Sequence, residues 1–197
     1  MRRKVRKLAV LASGSGTTLQ AVINAIESGE LEARVEIVIS DNPGAFALER
    51  AAAAKSKTYV LTGITAEERD QELYQVLKKA DVDLVLLLGY LKLVGPKTVN
   101  GFTIINTHPS LIPKYCGKGM HGMYVHEAVV ENGESESGVT LHFVNTKYDD
   151  GKIIYQTRVP VYPEDDANAV SARVQRAEKA QLISALIDFT EEKIDIP

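Results

Sequence analysis

The stretch Asp83–Leu88 reads DLVLLL and is closed by Gly89. Five apolar residues in a row, without alternation and too short for an ordinary helix, are the pattern of a strand buried on both faces. Such strands belong to parallel sheets covered by helices on two sides. Upstream, Lys7–Leu11, Val35–Ile39 and Thr58–Leu61 are further strand candidates. Between them lie a helix with apolar positions Leu19, Val22, Ile23 and Ile26, ending at Gly29, and an alanine-rich helix near Ala45–Lys55 after the turn Asp41–Gly44. Thr65 with Glu68 three residues on forms a capping box that opens the helix leading into DLVLLL. Downstream, a crossover through Pro96–Val99 returns to a short strand at Phe102–Ile105. The alternation predicts an α/β, Rossmann-like fold: a mainly parallel twisted sheet flanked by helices, as a single domain over 1–197. Past Pro113 the order changes. A glycine-rich loop, Lys114–Met123, precedes a helix at Tyr124–Asn132 stopped by Gly133, strands at Gly138–Val144 and Lys152–Val159, and a long final helix, Asp165–Phe189.

The chain has 197 residues, 45% of them hydrophobic and 25% charged, and a formal net charge of −3. That balance suits a globular domain with a substantial core and gives no general attraction to nucleic acid. Five basic residues in Met1–Lys7 meet the short apolar run Leu8–Ala12, which Gly14 and Gly16 interrupt. The run is too short for a signal sequence or a membrane span, so a cytoplasmic protein without membrane contact is expected. With Cys116 as the single cysteine, neither an intrachain disulfide nor a thiolate metal cage is available.

Three constellations carry chemistry. The strand ending at Ile105 continues into Asn106-Thr107-His108 and the proline-bounded PSLIP. In extended backbone Asn106 and His108 share a side and Thr107 points away. At the carboxyl edge of an α/β sheet, an amide and an imidazole side by side suit oxyanion stabilisation and proton transfer. A polar strand end with a solvated histidine fits the same residues. Second, Ser13–Thr18 (SGSGTT) between strand and helix suits an anion, because glycine lets backbone N–H groups approach a phosphate. Leu19 in place of a third glycine excludes a dinucleotide fingerprint, and a Walker ending is absent. A plain tight turn is the alternative. Third, Tyr148-Asp149-Asp150-Gly151 reads as a solvated turn, unless it brings an acid to His108 to hold its tautomer and raise its pKa. Gly89–Val94 suits either an apolar pocket wall or core packing. His126-Glu127 opens like a zincin helix, but Val130 stands where the second histidine belongs. No metal is expected.

The stretches LASGSGTTLQAVINAI, VISDNPGAFALERA, DLVLLLGYLKLV, INTHPSLIPKY and GVTLHFVNTKYDDGKIIYQ resemble, in order and over nearly the whole chain, the folate-dependent phosphoribosylglycinamide (GAR) formyltransferases. The resemblance implies formyl transfer from 10-formyltetrahydrofolate, as co-substrate, to the amine of glycinamide ribonucleotide in purine synthesis. It implies a phosphate-binding half over 1–100 and a catalytic, folate-binding half over 101–197. Asn106, His108 and Asp149 fall at the family's catalytic positions. Gly16, Thr17, Thr18 and Glu178 fall where GAR is held. Leu91, Lys92, Leu93, Val94, Val99, Ile104, Val144, Asn145, Thr146, Lys147 and Tyr148 fall where the folate is held. Thr17-Thr18 replaces the commoner Ser-Asn, Lys92 stands where arginine is common, Lys114–His126 is longer than in many relatives, and Arg69 is out of register with a folate-contacting arginine. Small molecules are the expected partners, on a monomer or homodimer. The alternatives are formylation of another amine (methionyl-tRNA or an amino sugar), formyltetrahydrofolate hydrolysis, or a non-catalytic nucleotide-binding module using Ser13–Thr18 and Asp41.

Overall fold

The computed structural model describes residues 5–194; most of the basic lead-in Met1–Lys7 lies outside them. In chain order the elements are β1 (Arg6–Leu11), α1 (Thr17–Glu27), β2 (Ala33–Ser40), α2 (Phe46–Ala53), β3 (Lys57–Val60), α3 (Ala66–Ala80), β4 (Leu84–Leu87), α4 (Pro96–Gly101), β5 (Ile104–His108), α5 (Met123–Glu131), β6 (Glu136–Phe143), β7 (Ile153–Pro160) and α6 (Ala167–Thr190). They form one seven-stranded sheet in the order β3-β2-β1-β4-β5-β6-β7. The pairs from β3 to β5 are parallel, whereas β5–β6 and β6–β7 are antiparallel. Strand order reverses between β1 and β4, which opens a crevice above their carboxyl ends.

Within DLVLLL, Leu84–Leu87 form the fully buried β4. Alternate side chains of the central strands feed two cores. Leu8, Val10 and Leu86 pack with Leu19 and Val22 of α1 and Leu182 and Leu186 of α6. Ala9, Leu11, Val85 and Leu87 pack with Leu73 and Leu77 of α3 on the other face. Burial on both faces explains why β4 carries no polar alternation. The Thr65–Glu68 capping box forms: Glu68 N donates to Thr65 Oγ1 at 3.1 Å and Thr65 N to Glu68 Oε2 at 2.9 Å. Among the described residues no helix is long and apolar enough to cross a membrane.

One boundary differs in a way that matters. The sequence places the strand at Phe102–Ile105 with Asn106 and His108 beyond it. The structure starts the strand at Ile104 and runs it through both residues. The cause is β6, whose antiparallel ladder pairs Asn106 with His142, Thr107 with Leu141 and His108 with Thr140. His108 is 4% exposed, so the solvated-histidine alternative fails.

The β6–β7 connection returns to the same place. Gly151 lies directly against the Phe143 carbonyl, where any Cβ would collide with backbone. This close approach folds the Tyr148–Asp150 segment back over the end of β5. Gly151→Ala is therefore expected to cost about 3 kcal/mol by overpacking. Gly133→Ala, at positive φ but with open space around it, should cost about 1 kcal/mol. Urea unfolding of both variants checks this, and equal losses would contradict the close-approach account.

Candidate active site

A cavity of about 600 Å³ lies over the crevice. It is lined by Gly14–Thr18 after β1, Leu88–Leu91 after β4, Asn106–Pro109 at the end of β5, the loop 117–122, Met123 and His126 of α5, Tyr148 and Asp149, and Ser171, Gln175 and Glu178 of α6. The catalytic candidates, the glycine loop and Glu178 thus share one space.

At its centre is Asp149, a non-glycine residue at φ 52°, a conformation aspartate tolerates better than most residues. Its Oδ2 accepts from the Gly117 N–H at 2.8 Å and faces His108 Nδ1 at 3.5 Å. Its Oδ1 lies 3.4 Å from Asn106 Nδ2 and 3.6 Å from His142 Nε2. Burial pushes this carboxyl up, but His142, His108 and the Gly117 N–H more than offset it and leave the pKa below the ordinary value. Asp149 is therefore ionised at neutral pH. Asp150 behaves as the solvated-turn alternative expects: it is exposed, 3.6 Å from Lys147, and accepts from Asn145 Nδ2 at 3.2 Å.

The two ring nitrogens of His108 have different neighbours. Nε2 lies 2.8 Å from the Tyr115 carbonyl, which only accepts, so Nε2 carries a proton there. In the neutral ring Nδ1 is then the basic atom, turned toward Asp149. Burial pulls the His108 pKa below its ordinary value; Asp149 and the Tyr115 carbonyl offset only part of this. The sequence-based expectation that a neighbouring acid makes His108 more basic needs this correction. The acid acts in the expected direction, and desolvation outweighs it.

Asn106 is oriented by a residue the sequence did not single out. His142 Nδ1 donates to the Phe143 carbonyl at 2.8 Å, which leaves Nε2 of the neutral ring to accept from Asn106 Nδ2 at 3.1 Å. One amide N–H is thereby fixed, and the other meets only the long Asp149 contact. Thr107, on the opposite side of the strand, donates to Glu178 Oε1 at 2.5 Å. Burial raises the Glu178 pKa, with Thr107 and Thr18 opposing.

Gly16 ends the glycine loop at φ 70°, and a Cβ there would stand 2.8 Å from Ala47, so a side chain is excluded twice over. The loop is braced from behind: Ser13 Oγ donates to Asp41 at 2.6 Å and Arg50 Nε to the Ser15 carbonyl at 2.9 Å. Thr17 and Thr18 begin α1 and line the cavity.

The eleven positions expected to hold the folate are not all brought together. Leu91 and Tyr148 line the main cavity. Val99, Ile104 and Val144 line a separate hollow of about 310 Å³ with Phe102 and Phe143. Val94 is buried in the core against α3. Lys92, Leu93, Thr146 and Lys147 are exposed, and Asn145 is half-buried; none of the five lines either space. Among the described residues no group of three or more histidine, cysteine or acidic side chains is placed to hold a metal. Sequence reasoning missed His142, Ser171, Gln175 and the backbone of Tyr115 and Gly117. The last two leave no side-chain signature, and His142 is informative only once its register against Asn106 is known.

A family model described as formyl transferase matches residues 6–186. The phosphoribosylglycinamide formyltransferase of Haemophilus influenzae is 38% identical, covering 96% of this chain and 90% of its own. That of Escherichia coli is 36% identical, covering 88% and 82%. The crystal structure of glycinamide ribonucleotide transformylase 1 from Symbiobacterium toebii superposes with a TM-score of 0.90 at 33% identity, over 98% of this chain and 91% of that one.

Because Asp149 holds the His108 pKa up against burial, Asp149→Asn should lower it further. Asp150→Asn should leave it nearly unchanged. Histidine ring resonances followed by NMR across a pH titration measure both. An upward shift in Asp149→Asn, or a larger change in Asp150→Asn, would refute the geometry.

Proposed function

The chain belongs to the formyl transferase family, among its phosphoribosylglycinamide formyltransferases, and we infer that it moves a formyl group from 10-formyltetrahydrofolate to the primary amine of glycinamide ribonucleotide in purine synthesis. The observation that carries the catalytic assignment is the convergence of Asn106 and His108 on Asp149, each within 3.5 Å of it, in a cavity that also opens onto the Gly14–Thr18 loop.

The amine nitrogen attacks the formyl carbon, and the carbonyl oxygen becomes an oxyanion. The Asn106 N–H that is not bonded to His142 donates to it; removing such a donor typically costs about 10²–10³ in rate. His108 Nδ1 takes the proton released by the attacking amine, and the imidazolium so formed faces the Asp149 carboxylate. His108 then returns the proton to N10 as the bond between the formyl carbon and N10 breaks. A low His108 pKa suits this order, because the ring must be neutral to accept and the imidazolium must give the proton up readily. The protein supplies both proton transfer and oxyanion stabilisation, and we assign no metal to the reaction.

Backbone N–H groups of Gly16, Thr17 and Thr18 take the phosphate, and Glu178 takes the glycinamide end. Leu91 and Tyr148 flank the folate, and the hollow at Val99, Ile104 and Val144 accepts its pterin. Lys92, Leu93, Val94, Asn145, Thr146 and Lys147 are retained as folate-side positions on the resemblance alone. We place the protein in the cytoplasm, as a monomer or homodimer.

Purified protein given 10-formyltetrahydrofolate should formylate GAR, and not methionyl-tRNA or water, and should keep its rate after exhaustive chelation. GAR lacking its phosphate should be a much poorer acceptor. Gly16→Ala, which pushes the loop off Ala47, should raise KM for GAR more than for the folate. Equal changes in both KM values would sink the phosphate assignment, and formate release without GAR would favour a hydrolase.

A further inference from the structure

His126 sits in the first turn of α5, is 2% exposed, and takes no part in the mechanism above. Its Nδ1 is fully buried and has no hydrogen-bond partner among the described residues. Buried polar atoms are nearly always satisfied, and orphaned N–H groups are rarer than orphaned acceptors. Burial, reinforced by nearby His108, pulls the His126 pKa down to about 4, so the ring is neutral at pH 7 and carries one proton. A buried, unpartnered Nδ1 is better left as a bare lone pair, which puts the proton on Nε2. The ring also lines the main cavity, and Nε2 is the nitrogen left to meet it. α5 packs on α6, the helix that brings Ser171, Gln175 and Glu178 to the same wall. That wall is where the amine substrate is placed; the folate residues Leu91 and Tyr148 enter the cavity from other elements.

We propose that His126 is a substrate-binding residue: its Nε2–H donates to a neutral oxygen, a sugar hydroxyl or an amide carbonyl, of the amine-bearing ribonucleotide. The role rests on the formyltransferase function proposed above and assigns that substrate a contact outside the glycine loop and Glu178. A neutral donor fits the position. A second cation beside His108 would oppose protonation of that ring, whereas an uncharged N–H binds the substrate without disturbing the proton relay.

Two readouts test it. With histidine-¹⁵N-labelled wild-type enzyme, the His126 ring should show the Nε2–H tautomer at pH 7, and its Nε2 resonance should shift when GAR is added without folate. In kinetics, His126→Phe keeps the ring volume and removes the donor. It should raise KM for GAR about tenfold, the effect of one lost hydrogen bond, with kcat, its pH profile and the folate KM changed less than about threefold. His126→Gln, which restores an N–H donor, should recover most of the loss. If His126→Phe does not fold by circular dichroism, the wild-type resonances decide alone. An Nδ1–H tautomer, or an unmoved His126 resonance in an enzyme that formylates GAR, overturns this assignment while leaving the function intact. A wild-type enzyme that does not formylate GAR overturns both.

Discussion

A carboxylate placed between four nitrogen atoms sets the terms for everything around it. Asp149 is drawn out of water by the fold of the β6–β7 connection, at an electrostatic cost that would ordinarily neutralise it. The Gly117 N–H donates to it at 2.8 Å, Asn106 Nδ2 lies at 3.4 Å, and with the His108 and His142 rings beside it the carboxyl stays below its ordinary pKa instead. These groups come from three different constraints. Asn106 and His108 share a side because β5 is extended, and His142 faces Asn106 because β6 pairs in that register. Gly117 arrives on the loop after Pro113. Displace the Gly117 or Asn106 N–H, and the carboxylate loses part of the compensation for its burial.

The same burial decides what His108 can do. A histidine beside an ionised acid in water becomes a stronger base, but this one is inside, and desolvation wins. The result is a neutral ring whose Nε2 proton is committed to the Tyr115 carbonyl and whose Nδ1 is free to take up a proton. In the mechanism proposed above, the acid opposes this desolvation and stabilises the imidazolium once it exists.

Much of this was legible in the chain. An unbroken apolar run at β4, helical periodicity on either side and a capping box at Thr65 are local signals, and the structure has each of them where the pattern puts it. The period-two argument for Asn106 and His108 held even though the strand ran three residues further than the polar side chains suggested, because an antiparallel neighbour supplied the pairing. What stayed hidden depends on long-range register or on backbone atoms. Nothing near Asp149 in the sequence distinguishes it from Asp150; the resemblance selected it, and the turn held by Gly151 explains why only one of the two points inward. His142 carries no signal of its own in the sequence; its bond to the Phe143 carbonyl is structural, yet the same ring steers Asn106. The folate positions taken from the resemblance divide between two spaces, the core and the surface, since a resemblance conveys position and not exposure.

The claim that the Asp149 carboxylate acts through His108 and Asn106 is most directly tested by turnover in two neighbouring variants. With formyl transfer to GAR as the assay and circular dichroism as the control for folding, Asp149→Asn should cut kcat by about 10²-fold or more. Asp150→Asn should stay within about tenfold of the parent enzyme, a barrier change below about 1.4 kcal/mol. A crippled Asp150→Asn beside an active Asp149→Asn would contradict the account, because the carboxylate that matters would then be the one facing solvent.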